Sequence, residues 1–138
     1  MKIDLKQLLE GATVTLVESE NPQGLDLEAT GIQISSPIEI KAQVTKLQDT
    51  LDIKIALKTE AALQCSRCLN ETDIVISKNM RLDYTITTQD TTIDISEDIR
   101  QELMLEYPLK PLCSLECKGL CVTCGKNLNE GPCGCKKP

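Results

Sequence analysis

The 138-residue sequence contains no histidine, tryptophan or phenylalanine, and Tyr84 and Tyr107 are its only aromatic side chains. Without histidine the usual proton-transfer group at neutral pH is missing, so acid–base or hydrolytic catalysis on a small-molecule substrate has no evident carrier. With only these two aromatics there is no stacking platform of the kind that sheet and barrel modules use to hold unpaired bases. Burial falls to Ile, Leu and Val, at roughly 25 cal/mol per Å². Long apolar runs are also missing. None approaches the roughly 20 residues that cross a bilayer, and Met1-Lys2-Ile3-Asp4-Leu5-Lys6 opens no apolar signal region. A cytoplasmic, reduced protein without a membrane partner is expected. Basic charge is scarce too, since a formal net charge of −6 does not suit a general nucleic-acid binder.

Cysteine is what the chain has in excess. Cys65-x-x-Cys68 stands alone, and Cys113, Cys117, Cys121, Cys124, Cys133 and Cys135 crowd the C-terminal end. Two thiolates two or three residues apart turn easily toward one ion at about 2.3 Å, whereas a disulfide between such neighbours closes a small strained loop. In a reducing compartment this number of thiols points to metal rather than to cross-links. Four close pairs make two four-cysteine zinc sites, and three ways of joining the pairs are open. Loop entropy favours Cys121, Cys124, Cys133 and Cys135 as one site, which leaves Cys65, Cys68, Cys113 and Cys117 for the other. Cys121-Val122-Thr123-Cys124-Gly125 has the form of a zinc knuckle, its glycine free to take unusual dihedrals. Sites closed by four cysteines keep no position for water, so the expected role is structural and the protein is expected not to be an enzyme.

Two catalytic readings compete with that one. Cys117-x3-Cys121-x2-Cys124 has the spacing of radical S-adenosylmethionine enzymes, but those need a large barrel after the motif and here only fourteen residues follow. Cys65-Ser66-Arg67-Cys68 could be a redox pair with Arg67 lowering a thiol pKa, yet it joins two alternating segments instead of opening a helix.

The alternation is clear. Ile38, Ile40, Ala42 and Val44 interleave with polar residues, as do Leu51, Ile53, Ile55 and Leu57, and Gln48-Asp49-Thr50 suits a hairpin between them. The second run continues to Cys65, and Ile74, Ile76, Met80, Leu82, Tyr84 and Ile86 restart the pattern, which puts Cys65 and Cys68 at a hairpin tip. A short helix is expected from Asp4 to Gly11, with Leu5, Leu8 and Leu9 on one face. A second is expected over about 95–106, opened by the capping-box spacing of Asp94 and Glu97 and stopped by Pro108. The expected fold is therefore α+β: an antiparallel β-sheet or meander with a short N-terminal helix, a helix in the C-terminal half and a cysteine-rich zinc-binding tail. Residues 1–112 would form the sheet domain and 113–138 the tail docked on it.

From Lys110 onward five lysines face Glu116 and Glu130, giving +3 against −9 for the rest. A four-cysteine zinc site adds about −2, so the tail is only a weak attractor for anions. Arg67, Lys118, Lys126, Lys136 and Lys137 are candidate RNA-phosphate contacts; the plainer reading makes each a solvated surface charge.

Cys65-Ser66-Arg67-Cys68-Leu69, Pro108-Leu109-Lys110-Pro111-Leu112-Cys113 and Cys117-Lys118-Gly119-Leu120-Cys121, with Cys124-Gly125 and Asn127-Leu128-Asn129, closely resemble the YceD-like family. Val122 departs from that pattern, standing where proline is expected. The resemblance implies a role in accumulation of large-subunit ribosomal RNA, as in bacteria and plastids. It implies as partner the precursor large ribosomal subunit, met through ribosomal RNA or a basic ribosomal protein. A zinc-stabilised adaptor that binds only proteins is the plainer alternative.

Overall fold

The computed structural model describes residues 1–136. The chain forms two compact units, residues 1–61 with 75–107, and residues 62–74 with 108–138. Its strands are β1 (Lys2–Asp4), β2 (Thr13–Glu20), β3 (Gln33–Ile34), β4 (Ile38–Leu47), β5 (Thr50–Gln64), β6 (Glu71–Thr85) and β7 (Thr92–Asp94), followed by one helix, α1 (Ser96–Glu106). The five-stranded sheet runs β2-β4-β5-β3, with β6 also paired to β5. β2 and β4 are antiparallel, as are β4 and β5, and Gln48 and Asp49 alone connect the last two, Leu47 opposing Thr50. The hairpin and the two long alternating strands are therefore as the sequence predicts.

Alternation sorts the faces. Ile38, Ile40, Ala42 and Val44 of β4 and Leu51, Ile53, Ile55 and Leu57 of β5 are buried, while the residues between them are polar and mostly exposed. Ile95, Ile99 and Leu103 are also fully buried, one helical turn apart, and apart from Met1 and Thr59 the core of the first unit is aliphatic. Lys78 of β6 pairs with Glu106 at 2.6 Å and with Glu102 at 3.4 Å, and the Tyr84 hydroxyl donates to Asp98. Burial and that carboxylate together push the Tyr84 pKa upward.

Two local expectations need correction. The helix expected from Asp4 to Gly11 does not form. Lys2–Asp4 pairs instead with β7, Ile3 opposite Ile93, and only a single 3-10 turn, Leu5–Gln7, follows. The physical reason is that Met1, Ile3 and Leu5 satisfy a strand period as well as Leu5, Leu8 and Leu9 satisfy a helical one. Burial chose the first set: Met1, Ile3, Leu5 and Leu8 are inside, and Leu9 is 74% exposed. Asp4 still caps the turn by accepting from the Lys6 amide. At α1 the cap residue is Ile95, and Asp94, one position earlier, accepts from the Ser96 amide at 3.0 Å, so the expected capping box is replaced by a local aspartate turn. The helix itself lies within the expected span.

Candidate metal centres

The second unit is built around sulfur. Cys65 and Cys68 lie in the loop between β5 and β6. They are 0% and 3% exposed, and Cys117 beside them is 4% exposed. Leu112 and Leu120 pack on this group. The Cys65 and Cys117 sulfurs are 3.7 Å apart and those of Cys68 and Cys113 3.6 Å, with all four within 4.8 Å of one another. Thiolates at the corners of a tetrahedron around an ion at about 2.3 Å stand about 3.8 Å apart. Cys121, Cys124, Cys133 and Cys135 form a second group within the same limit, none of them buried. The eight thiols are free of disulfides, and they gather in the pairing that loop closure favours.

Both groups rest on the same backbone device. In one turn the Cys65 amide donates to the Asn70 carbonyl at 2.8 Å and the Leu69 amide to the Cys65 carbonyl at 2.9 Å. In the other, the Cys121 amide donates to the Lys126 carbonyl at 2.8 Å and the Gly125 amide to the Cys121 carbonyl at 2.9 Å. Each turn closes through a left-handed residue, Gly125 at φ 74° and Leu69 at φ 62°. The knuckle expected at Cys121–Gly125 is thus present twice. The first copy escaped the sequence because a leucine stands where glycine signals the turn.

Donors surround the sulfurs. Backbone amides, that of Cys68 foremost, hold the Cys65 thiol down to about 6, and those of Cys124 and Thr123 hold Cys121 to about 6. The Asn129 side-chain amide donates to the Cys117 sulfur at 3.3 Å and lowers that thiol as well. Hydrogen bonding to Cys117 and Cys68 pushes Cys113 up to about 12, and contact with Cys124 pushes Cys135 up to about 12. Four thiolates cannot crowd together without a cation, so protons remain on some sulfurs until a dication displaces them. All-thiolate donors in compact, amide-lined groups fit a soft tetrahedral ion, and each group could hold one.

Asn129 was not singled out by sequence reasoning, and only its place in Asn127-Leu128-Asn129 hinted at it. Its amide oxygen accepts from the Lys118 backbone at 2.8 Å, so it ties the chain after Cys117 to the sulfur itself. Outer-shell partners of this kind are worth about 10–100-fold in metal affinity. Asn129→Ala is expected to weaken the first centre by that factor and leave the second unchanged, as read by competition with a chromophoric chelator. Gly119, at φ 76°, is equally constrained: a Cβ there would stand 3.3 Å from the Arg67 carbonyl oxygen.

The basic candidates are spread about the second unit. Arg67 is exposed, but its guanidinium donates to the Cys117 carbonyl at 3.0 Å. Lys126 reaches the Pro132 carbonyl at 3.3 Å, Lys118 and Lys136 are exposed, and Lys137 lies outside the described residues. Among the described residues no helix is long and apolar enough to cross a membrane.

Fold and site together define a class: a mostly antiparallel β-sheet protein with one α-helix and two tetracysteine groups that could hold metal. Within that class, the family model described as "Large ribosomal RNA subunit accumulation protein YceD" matches residues 81–138. A maize protein named "Large ribosomal RNA subunit accumulation protein YCED homolog 1, chloroplastic" is 28% identical over 82% of this chain and 53% of its own length. The Arabidopsis thaliana protein of the same name is 46% identical over 31% of this chain and 13% of its own length. An uncharacterized Mycobacterium leprae protein is 24% identical over 78% of this chain and 57% of its own. The chain thus spans about half the length of the maize and Mycobacterium leprae proteins. These matches bear out the resemblance to the YceD-like family. No solved structure matches the chain significantly.

Proposed function

We propose that this chain is a non-enzymatic ribosome biogenesis factor, acting in the cytoplasm, that supports accumulation of large-subunit ribosomal RNA. The likeness to proteins named for that role carries the reading. In it, zinc fills both tetracysteine groups, four cysteines to each ion, because zinc suits closed thiolate tetrahedra that have no open position for chemistry. The metal contributes folding free energy, and the surfaces it fixes meet the precursor large subunit through its RNA or a basic ribosomal protein. Arg67, Lys118, Lys126, Lys136 and Lys137 are the tail-side contacts offered to phosphate. Depletion in the source cell should lower large-subunit RNA relative to small-subunit RNA, and the protein should co-sediment with precursor large subunits. Equal levels of the two RNAs after depletion would rule the role out.

A further inference from the structure

The outward face of the first unit's sheet carries a feature that the cysteine centres do not use. Because Ile40, Ala42, Ile53, Ile55 and Leu57 turn inward, Lys41 and Gln43 of β4 and Lys54, Ala56 and Lys58 of β5 turn outward. The strand register sets Lys41 between Val17 of β2 and Ala56 of β5. Lys54 and Lys58 lie two residues to either side of Ala56, diagonal to Lys41 at roughly 7–8 Å. Small Ala56 leaves a hollow of about 540 Å³, lined by Lys41, Gln43, Lys54, Asn79 and Arg81, and no carboxylate lines it.

The charges there are unusual for this chain. The first unit holds nine Lys and Arg against 17 Asp and Glu; on this face Lys41, Lys54, Lys58 and Arg81 stand with Glu39, Asp52, Glu60 and Asp83, and Lys41, Lys54 and Arg81 gather at the hollow. Arg81 is paired, to Asp52 at 2.7 Å and Asp83 at 3.8 Å. Lys41 and Lys54 form no ion pair with any described residue. The register sets Lys58 opposite Glu39, but Lys41 faces Ala56 and Lys54 faces Gln43, so these two lysines have no carboxylate across the strand pair.

We infer that this hollow is a docking surface for the phosphodiester backbone of RNA. The inference rests on the ribosomal-RNA reading proposed above and names a contact surface for it. Lysine ammonium groups and the Arg81 fork suit phosphate oxygens, and the Gln43 and Asn79 amides can donate to phosphate or ribose. With no aromatic side chain in the lining, contact is with backbone and shape, which suits a duplex rather than splayed bases. At physiological salt the screening length is about 8 Å, so carboxylates beyond the hollow act on a phosphate seated in it less than the cations that line it do.

The test uses the full-length, zinc-loaded protein and a fluorescent RNA duplex of about 20 base pairs, titrated by anisotropy across a salt series. The K41Q/K54Q double variant should bind at least about tenfold more weakly at physiological salt, with a log–log salt slope shallower by about 2. Both positions are exposed, so metal content and melting temperature should not move. A wild-type protein that ignores the duplex, a double variant that binds it as well as wild type, or displacement of the duplex by polyglutamate at equal charge would each overturn the surface. Complementation in depleted cells separates the two readings. Full rescue of large-subunit RNA by K41Q/K54Q keeps the role and removes the surface. Lost duplex binding together with no RNA deficit on depletion keeps the surface and removes the role.

Discussion

Cys117→Ser is expected to cut bound metal from two equivalents to one and to leave residues 62–74 and 108–138 open to protease, while the first unit stays folded. The second unit has almost nothing else to hold it. Among its described residues the buried hydrophobic side chains are Leu63 and three cysteines, Cys65, Cys68 and Cys117, with only Leu112 and Leu120 packed on the sulfurs. So short an assembly lies far below the size at which an aliphatic core suffices, and a structural metal would supply the difference, about 10–16 kcal/mol in comparable small domains. Cys117 is tied into the group from several sides. It is buried, it receives the Asn129 amide, and its carbonyl accepts from Arg67. Serine removes the thiolate and, with its shorter side chain, draws the acceptor away from the Asn129 amide. Elemental analysis gives the metal count, and limited proteolysis with mass mapping shows which segments open. Two retained equivalents and an unchanged digestion pattern would count against metal as the organising force. A strong chelator should produce the same digestion pattern in the unaltered protein.

Ile99→Ala should act on the other unit alone. Ile99 is 0% exposed, on the same face of α1 as Ile95 and Leu103. Removing its branched side chain takes away transfer free energy and leaves a void, for about 2–5 kcal/mol. That is a large share of the roughly 5–15 kcal/mol that an ordinary domain has to spare. Urea unfolding should show an earlier midpoint for the first unit, and metal content should remain at two equivalents. A midpoint within about 0.5 kcal/mol of the unaltered protein, the range of ordinary surface changes, would mean that α1 is not part of the core.

The long strands were legible because one face is aliphatic and the other polar, and a one-residue slip would exchange the two. Helix α1 was legible from Ile95, Ile99 and Leu103 and from Pro108 beyond them. The N-terminus was not, since its apolar residues fit two periods, and the contact that decides between them, Ile3 opposite Ile93, joins residues far apart in sequence. Strand β2 was likewise not assigned. Only Val14, Leu16 and Glu20 of its eight residues are shielded even in part, so little alternation marks it, and its place is set by β4. The cysteine groupings could be ranked from loop lengths alone. The donors that surround them could not, because Asn129 reaches Cys117 by a fold of the tail that no spacing records. The cationic hollow on the sheet also went unread: its lysines are ordinary polar partners in an alternating pattern until the register puts them side by side.

The two knuckles share their backbone bonds but differ in cover, and that difference sets a clock. Three of the first centre's cysteines are buried, whereas none of the second's is. Competing ligands and oxidants reach a thiolate only where it can be approached. Metal should therefore leave in order, from Cys121, Cys124, Cys133 and Cys135 first and from Cys65, Cys68, Cys113 and Cys117 later. Between the two events a half-loaded form of the protein would stand, with a lifetime set by how slowly the buried knuckle opens.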